Sequence, residues 1–445
     1  MSLIFISLTI ILLTLGLCYS SKLIHINTFL FGIFLGILYF IYIPLLVWFI
    51  NGPMHVLAFP NFYLADIDNY ERSLCYLLLY LIEFFLIFFF VKILHKSTAK
   101  KLVKRVYFAR EIKLYYSAIV LYLVINIIIL TICGSFDRGH WYKSREILST
   151  RYHEIGILLS FMIWGLRLLI ISYTFEFLER KKISNFMAFV LMIVMCLFEL
   201  RFVGNRIVIL MFGMMGLVFI CRTYGILLCL LTICCSLPFA MMIAIYQGIR
   251  HLLFKDNISA IMMQWFDYGQ YLISSGRLLE VFLTIFEYVD FTVLLKVLND
   301  VGNHIEPIYG LTLIKAVTWY VPRAIWPDKP LPFTILLGKT YMPGTGIALV
   351  GLLLGEIHFN FGEFGFVIFP IFLFLTLKFI KILSSYLPFS FYWSMLVGFL
   401  IFRLPLSDIL VGAIISILIY RLLIYINNYI FFHIKNKLKR KQFFV

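Results

Sequence analysis

The chain has 445 residues, 63% of them hydrophobic and only 13% charged, with a mean hydropathy of +0.99. A soluble domain carries roughly 45–50% apolar and about 25% charged residues, so a soluble globular fold is excluded and the composition is that of an all-α polytopic membrane protein. The net charge of +16 would suggest nucleic acid in a soluble protein, but here the Lys and Arg residues cluster between apolar stretches, as the positive-inside bias expects.

Taken in order, apolar stretches near the length of a bilayer crossing fall at 3–20, 28–50, 74–94, 115–134, 155–175, 185–200, 207–221, 225–246, 364–383, 389–404 and 408–430, about eleven spans. The first lacks a basic leading region and a small-residue cleavage site, so it reads as an uncleaved span. Isolated span glycines such as Gly32 and Gly36 read as helix packing. The eight cysteines sit mostly inside apolar runs (Cys18, Cys75, Cys133, Cys196, Cys229), with Cys234 and Cys235 adjacent; they suggest neither a disulfide framework nor a zinc site. No internal repeat, soluble domain or coiled coil is visible.

Cations set the expected orientation. The loop carrying Lys96, Lys100, Lys101, Lys104, Arg105, Arg110 and Lys113 reads as cytoplasmic. Counting from it, Arg180-Lys181-Lys182, Arg222, Lys378, Lys381 and the tail Lys435 to Lys441 fall on the same side. The N-terminus and residues 51–73, 135–154, 201–206 and 247–363 then lie outside. This divides the chain into an N-terminal bundle of about eight spans (1–246), a large external loop (247–363), and C-terminal spans with a basic cytoplasmic tail (364–445).

Within that loop, 277–298 carries Glu280, Glu287 and Asp290, each opposed by about 2.5–3.5 kcal/mol at a bilayer centre. It therefore reads as an amphipathic helix, its apolar side (Leu278, Val281, Phe282, Ile285, Val289) against the bundle or the lipid surface. Segment 346–361 is apolar but short and ends in Glu356, His358 and Asn360, as a partial or re-entrant helix stopping at a polar cavity would. Between them, prolines at 322, 327, 330 and 332 forbid a continuous helix, so 319–365 is expected to close over a polar pocket at the outer surface.

The anomaly is positive charge on the wrong side: Arg201 and Arg206 in the turn ELRFVGNR, then Arg250, His251, Lys255, Arg277, Lys315, Arg323, Lys329 and Lys339. Guanidinium groups match phosphate oxygens and lower the charge on a departing phosphate, so such a cluster suits a diphosphate; the alternative for each is snorkelling to lipid headgroups. Trp319, Tyr320 and Trp326 flank Arg323 and suit both the interface and stacking on sugar rings. Glu356 and His358 are candidates for a general base toward a sugar hydroxyl, or for capping and orienting a helix end. Asp66-Ile67-Asp68 has the spacing of a weak metal-binding match, without a further ligand partner. Glu83 and Arg167, both inside spans, are candidates to pair with each other. Nucleophile-elbow, Walker, dinucleotide and zinc-protease motifs are missing.

Residues Gly204-Asn205-Arg206, the long outer loop, PRAIWPDKP at 322–330 and GEIHFNFGEFG at 355–365 together resemble the Wzy-type oligosaccharide repeat-unit polymerases, the O-antigen polymerases. The resemblance covers roughly residues 195–375. Where relatives often have an aromatic after the glutamate of the last motif, this chain has His358. The resemblance implies a multi-pass protein of the bacterial inner membrane, N-terminus periplasmic and C-terminus cytoplasmic, similar to the O-antigen-ligase-like branch of the GT-C membrane glycosyltransferases. It implies a periplasmic active site that moves a growing glycan from undecaprenyl diphosphate onto the non-reducing end of an incoming lipid-linked repeat unit, with no cofactor and no metal. Its partners would be the two lipid-linked oligosaccharides, membrane lipids and a protein that regulates chain length. Carried onto this chain, Arg206 and Arg323 would hold the donor diphosphate, Arg250 and Lys329 would assist, and Glu356 or His358 would activate or orient the acceptor hydroxyl. Arg201, Arg277, Trp319, Tyr320, Trp326 and Asn360 would contribute to substrate binding. Rival readings are a flippase for the same repeat units, a ligase for finished polysaccharide, and a metal-dependent transferase using Asp66 and Asp68.

Overall fold

The structure, a computed structural model, describes residues 2–18, 27–51, 70–95, 108–132, 153–199, 207–236, 258–275, 288–321, 325–344 and 348–442. In chain order the helices are α1 (Ser2–Cys18), α2 (Thr28–Ile37), a π-helical turn (Leu38–Tyr42), α3 (Ile43–Asn51), α4 (Tyr70–His95), α5 (Phe108–Ile132), α6 (His153–Glu179), α7 (Asn185–Phe198), α8 (Ile207–Tyr224) and α9 (Ile226–Ser236). They continue as α10 (Ile258–Ser274), α11 (Tyr288–Asp300), α12 (Leu311–Val317), α13 (Phe333–Tyr341), α14 (Leu352–Phe361), α15 (Gly365–Ser384), α16 (Ser390–Arg403) and α17 (Leu406–Gln442). Among the described residues no strand forms; the one extended pairing is an isolated bridge between Val301 and Ile305.

Seven helical stretches among the described residues are long and apolar enough to cross a bilayer: Thr28–Ile50, Glu71–Val91, Glu111–Ile132, Leu158–Glu179, Ile207–Tyr224, Leu352–Ser384 and Leu406–Tyr429. Leu3–Cys18, Asn185–Phe198, Ile226–Ser236 and Ser390–Arg403 are apolar but shorter. Each apolar stretch expected from the sequence overlaps one of these helices; 225–246 is helical from Ile226 to Ser236, and residues 237–246 lie outside the described residues. Large side chains such as Leu86, Phe89, Phe90, Phe186 and Leu227 are exposed on these helices. In water that surface would be an aggregation liability, whereas hydrocarbon accepts it, because every backbone group inside a helix is already bonded.

The chain divides into two compact units. The first comprises Met1–Lys100, Ile220–Ile382 and Ser394–Leu410. At its centre is α11, with Tyr288, Phe291, Val293, Leu294, Leu295, Val297 and Leu298 all fully buried, packed against α4 and α14. This differs from the one-sided amphipathic helix expected for 277–298: from Tyr288 onward both faces are enclosed, and Leu278, Val281, Phe282 and Ile285 lie outside the described residues. Asp290, one of the three acids that argued against a crossing, pairs with Arg403 at 3.3 Å, and the same guanidinium lies 5.7 Å over the Phe40 ring in the π-helical turn; Glu280 and Glu287 lie outside the described residues. Val293, Val297 and Val301 then join Phe333, Leu337, Leu349 and Phe359 in one apolar cluster that fixes α13 to α14. Elsewhere in this unit α2 and α16 touch backbone to backbone. A Cβ on Gly32 would fall 2.0 Å from the Met395 carbonyl oxygen, and one on Gly398 would fall 2.1 Å from that of Phe29, so only glycine permits this crossing. Gly36 similarly faces Phe402, so both span glycines have the packing role expected of them.

The second unit comprises Lys101–Phe219, Leu383–Trp393 and Val411–Val445. Helices α5 and α6 pack along their length, with Tyr115 bonded to Thr174 at 2.9 Å. The Trp393 indole donates to Ser416 at 3.0 Å, and a Cβ on Gly165 would meet the Ser416 backbone at 3.0 Å. At the heart of this unit lies a buried ion pair: Arg167 Nε and a terminal nitrogen each donate to Glu199 at 2.6 Å. The Tyr122 hydroxyl donates to the same carboxylate, and the guanidinium lies 4.8 Å over the Trp164 ring. The expected pairing of Arg167 with Glu83 is therefore replaced. A bidentate partner at the end of α7 satisfies the whole guanidinium fork, which a single contact would not.

Candidate functional site

The first unit gathers its polar side chains around α14 and the break that ends it. Helix α14 begins after Gly351 and stops at Gly362, whose φ of +56° is left-handed and favours glycine. A single 3₁₀ turn, Gly362–Phe364, then leads into α15. Where the sequence suggested a short helix within 346–361 and a separate one from 364, the structure has a helix from Leu352 to Phe361, a break and a second helix. The segment before α12 lies directly on this break: the Ile308 amide donates to the Phe359 carbonyl at 3.2 Å, and a Cβ on Gly362 would be 3.1 Å from Pro307.

Glu356 is 1% exposed and joins three elements. One carboxylate oxygen accepts from the Thr312 hydroxyl of α12 at 2.9 Å, and the other from the Leu406 amide at the first turn of α17, also at 2.9 Å. Asn360, one turn further along α14, donates to Thr312 Oγ1 at 2.7 Å and to the Glu356 carbonyl at 2.7 Å, and accepts from the Thr312 amide at 3.2 Å. Lys315, one turn after Thr312, lies 3.5 Å from Asp408, which also accepts from Ser407 at 3.0 Å. Two carboxylates thus meet the start of α17, where exposed amides and the helix dipole favour negative charge. Of the two roles weighed for Glu356, organiser of a helix end and general base, this geometry displays the first.

His358 points to a different neighbourhood. It is fully buried; its Nδ1 lies 3.2 Å from the Tyr80 hydroxyl, while Nε2 has no hydrogen-bond partner among the described residues. The ring lies 5.3 Å from that of Tyr76 and 6.2 Å from that of Phe366. Gly365 makes this possible, because a Cβ there would stand 2.3 Å from the Tyr80 hydroxyl oxygen. Beyond Tyr76, at the N-terminal end of α4, Arg72 Nε donates to the Tyr76 hydroxyl at 3.1 Å and a terminal nitrogen of Arg72 donates to Glu363 at 3.3 Å. The Tyr76 hydroxyl also donates to Glu363.

The remaining candidates divide three ways. Trp319 and Tyr320 form an edge-to-face pair at 6.2 Å with Tyr320 exposed, and Trp326 is half-buried. Lys329 donates to the Trp319 and Val321 carbonyls, each at 2.8 Å, so its ammonium group ties this proline-rich segment together. Arg201, Arg206, Arg250, Arg277 and Arg323 lie outside the described residues, as do His251, Lys255, Asp66 and Asp68. Sequence reasoning passed over Thr312, Asp408, Arg72, Tyr76 and Tyr80. Glu363 stood within the quoted GEFG motif, and Arg72 at the mouth of an apolar run, the place where a cation at a membrane surface sits. Among the described residues no group of three or more His, Cys, Asp or Glu is placed to hold a metal. The arrangement as a whole offers a buried carboxylate clamp, an enclosed imidazole with one unengaged nitrogen, and a guanidinium beside it. Comparison with family models, curated proteins and solved structures found no match to this chain.

Proposed function

We propose that this chain is a membrane glycosyltransferase that polymerises lipid-linked oligosaccharide repeat units, acting as the Wzy-type enzymes it resembles in sequence do. One observation carries the reading. The segment GEIHFNFGEFG, set in an otherwise apolar chain, folds as a helix, a left-handed break and a second helix, with the non-spanning residues 307–312 bonded directly onto the break. Membrane proteins tolerate such interrupted helices and buried polar groups where backbone or side chains meet a substrate.

On this reading the enzyme sits in the bacterial inner membrane with about eleven crossings and its site toward the periplasm. The growing glycan is displaced at its anomeric carbon by the non-reducing-end hydroxyl of the incoming repeat unit, and the undecaprenyl diphosphate leaves. Cations, with Arg206 and Arg323 foremost, stabilise that leaving group, and the shared membrane holds both lipid substrates at high effective concentration. His358 is the better candidate to accept the hydroxyl proton, because its Nε2 is unengaged whereas both Glu356 oxygens already accept protein hydrogen bonds. Glu356 and Asn360 hold α12 and α14 in register beneath the site.

The test is extension of a defined undecaprenyl-diphosphate-linked repeat unit by the purified protein alone. Appearance of a ladder of longer glycans is the expected result; a protein that binds the substrate and never extends it overturns the reading. In cells, deletion is expected to leave single repeat units on the surface lipid. Undecaprenyl-linked polymer that accumulates without transfer would indicate a ligase instead, and repeat units trapped on the inner face would indicate a flippase.

A further inference from the structure

Helix α12 and the turns that follow it form a two-sided layer whose outer side neither the fold nor the site uses. The inner side is polar and bonded. Thr312, 1% exposed, is tied to Glu356 and Asn360 of α14, and Lys315, one turn on, lies 3.5 Å from Asp408. The outer side is apolar: Leu311, Ile314, Val317 and Tyr320 recur every third residue and all are exposed, Val317 to 72%. A helix lying on a protein surface in water shows the reverse arrangement, with its polar face outward. At seven residues α12 is about 10 Å long, a third of the roughly 30 Å bilayer core, so it does not cross. It is nonetheless fastened to a stretch that can. The Ile308 amide donates to the Phe359 carbonyl at the break from which α15 starts, and the exposed apolar row of α15, Phe364, Val367 and Ile371, begins at that same break.

Two further features suit a place where water is scarce. Backbone carbonyls beyond the middle of α12 are met from within the chain: that of Ile314 by the Thr318 amide and hydroxyl, and those of Trp319 and Val321 by the Lys329 ammonium. Tyr309, at the entry to the layer, holds a left-handed φ of +49°, a costly state for a residue with a side chain, and its ring is exposed. A tyrosine ring standing outward is best accommodated where an apolar body and a polar tip both find partners, which is the membrane interface. We propose that residues 309–321 are a membrane-contact element that lies in the plane of the bilayer, its apolar side seated at the boundary between lipid headgroups and acyl chains and its polar side turned to the Glu356 clamp. The partner is the lipid surface itself. The clamp of Thr312, Glu356 and Asn360 then lies just inside that surface, within reach of a molecule anchored in the membrane. The proposal stands independently of the polymerase reading, because it needs no substrate.

The experiment reads depth in the membrane. A small fluorescent amino acid is incorporated by stop-codon suppression in place of Val317, and in a second variant in place of Ile314, in the full-length protein reconstituted in phosphatidylcholine and phosphatidylglycerol nanodiscs. Val367 on α15 gives the reference for a lipid-facing position. Emission is quenched by nitroxide lipids labelled near the head of the acyl chain, by nitroxide lipids labelled near its methyl end, and by aqueous iodide. The shallow nitroxide is expected to lower emission at both positions by about two-fold or more and to exceed the other two quenchers, because an interfacial element seats its apolar face about 5–10 Å deep. Iodide as the strongest quencher puts this face in water and overturns the proposal. The deep nitroxide as the strongest means that the segment dips into the hydrocarbon core, which overturns the in-plane placement. Emission that none of the three lowers means that protein, from this chain or a second copy, covers the face, and that overturns it too. Glycan extension by the same samples tests the polymerase reading separately: its absence, with shallow quenching intact, removes that reading and leaves the membrane contact standing.

Discussion

Replacing Glu356 separates a clamp from a catalyst. In Glu356→Ala, the Thr312 hydroxyl and the Leu406 amide lose their acceptor at positions 1% and 2% exposed. A buried donor left without a partner costs about 1–3 kcal/mol, so the two together cost about 2–6 kcal/mol before any packing loss. Glu356→Gln is milder. Its oxygen can keep the Leu406 amide, and its amide group can donate to Thr312 Oγ1, leaving only the hydroxyl proton unplaced at about 1–2 kcal/mol. The assay is equilibrium unfolding of the protein in mixed micelles, followed by tryptophan fluorescence, beside glycan extension by the same samples. The clamp predicts that activity falls with the folded fraction, so that Gln retains most of what Ala loses. An Ala variant destabilised by less than about 1 kcal/mol would refute the clamp. So would a Gln variant of full stability whose turnover falls more than about 100-fold, which would return Glu356 to the chemistry.

How much of this was legible in the sequence depends on which physical signal carried each feature. The helices were legible because about 20 consecutive apolar residues have one stable outcome in a bilayer, and the helix end near 361 because the apolar run before it is short and closes on Glu356, His358 and Asn360. Gly32 and Gly36 were readable for the same local reason. What escaped was pairing across distance. Asp290 counted against a crossing in isolation, and its partner Arg403 is over a hundred residues away, so a linear reading left open whether the apolar side met the bundle or the lipid surface. Arg167 had two carboxylates available in a linear reading, Glu83 among the span residues and Glu199 at the end of another helix, and periodicity cannot choose between them. Arg72 was invisible for a related reason: its meaning comes from Glu363 and His358, which only the fold brings to it.

Three further outcomes follow from contacts already described. Gly32→Ala and Gly398→Ala each place a methyl group about 2 Å from a backbone oxygen of the facing helix, so both are expected to prevent normal folding, while Gly213→Ala, with nothing within 4 Å, stays within about 1 kcal/mol of the parent; thermal unfolding in detergent checks this. Lys329→Ala frees the Trp319 and Val321 carbonyls and is expected to speed limited proteolysis between residues 319 and 330 by about ten-fold; an unchanged rate would mean that the prolines alone hold the segment. The third concerns Arg167 and Glu199, which are 4% and 0% exposed in their side chains and bonded twice at 2.6 Å. Removing one partner leaves a charge with no counterpart inside the second unit, which costs about 3–5 kcal/mol; Arg167→Leu and Glu199→Leu are each expected to lower stability by that amount. The Tyr122 hydroxyl divides the two cases. Without Arg167 it still donates to the abandoned carboxylate, whereas without Glu199 it loses that acceptor, so Glu199→Leu is expected to be at least as damaging as Arg167→Leu. The double variant Arg167→Leu with Glu199→Leu removes both charges and leaves two leucines in an apolar setting, so it should lose less than either single variant, which corresponds to a coupling energy above about 3 kcal/mol. Additive losses in the double variant would mean that the two side chains act through separate neighbours, and that the bidentate pair does not organise this unit.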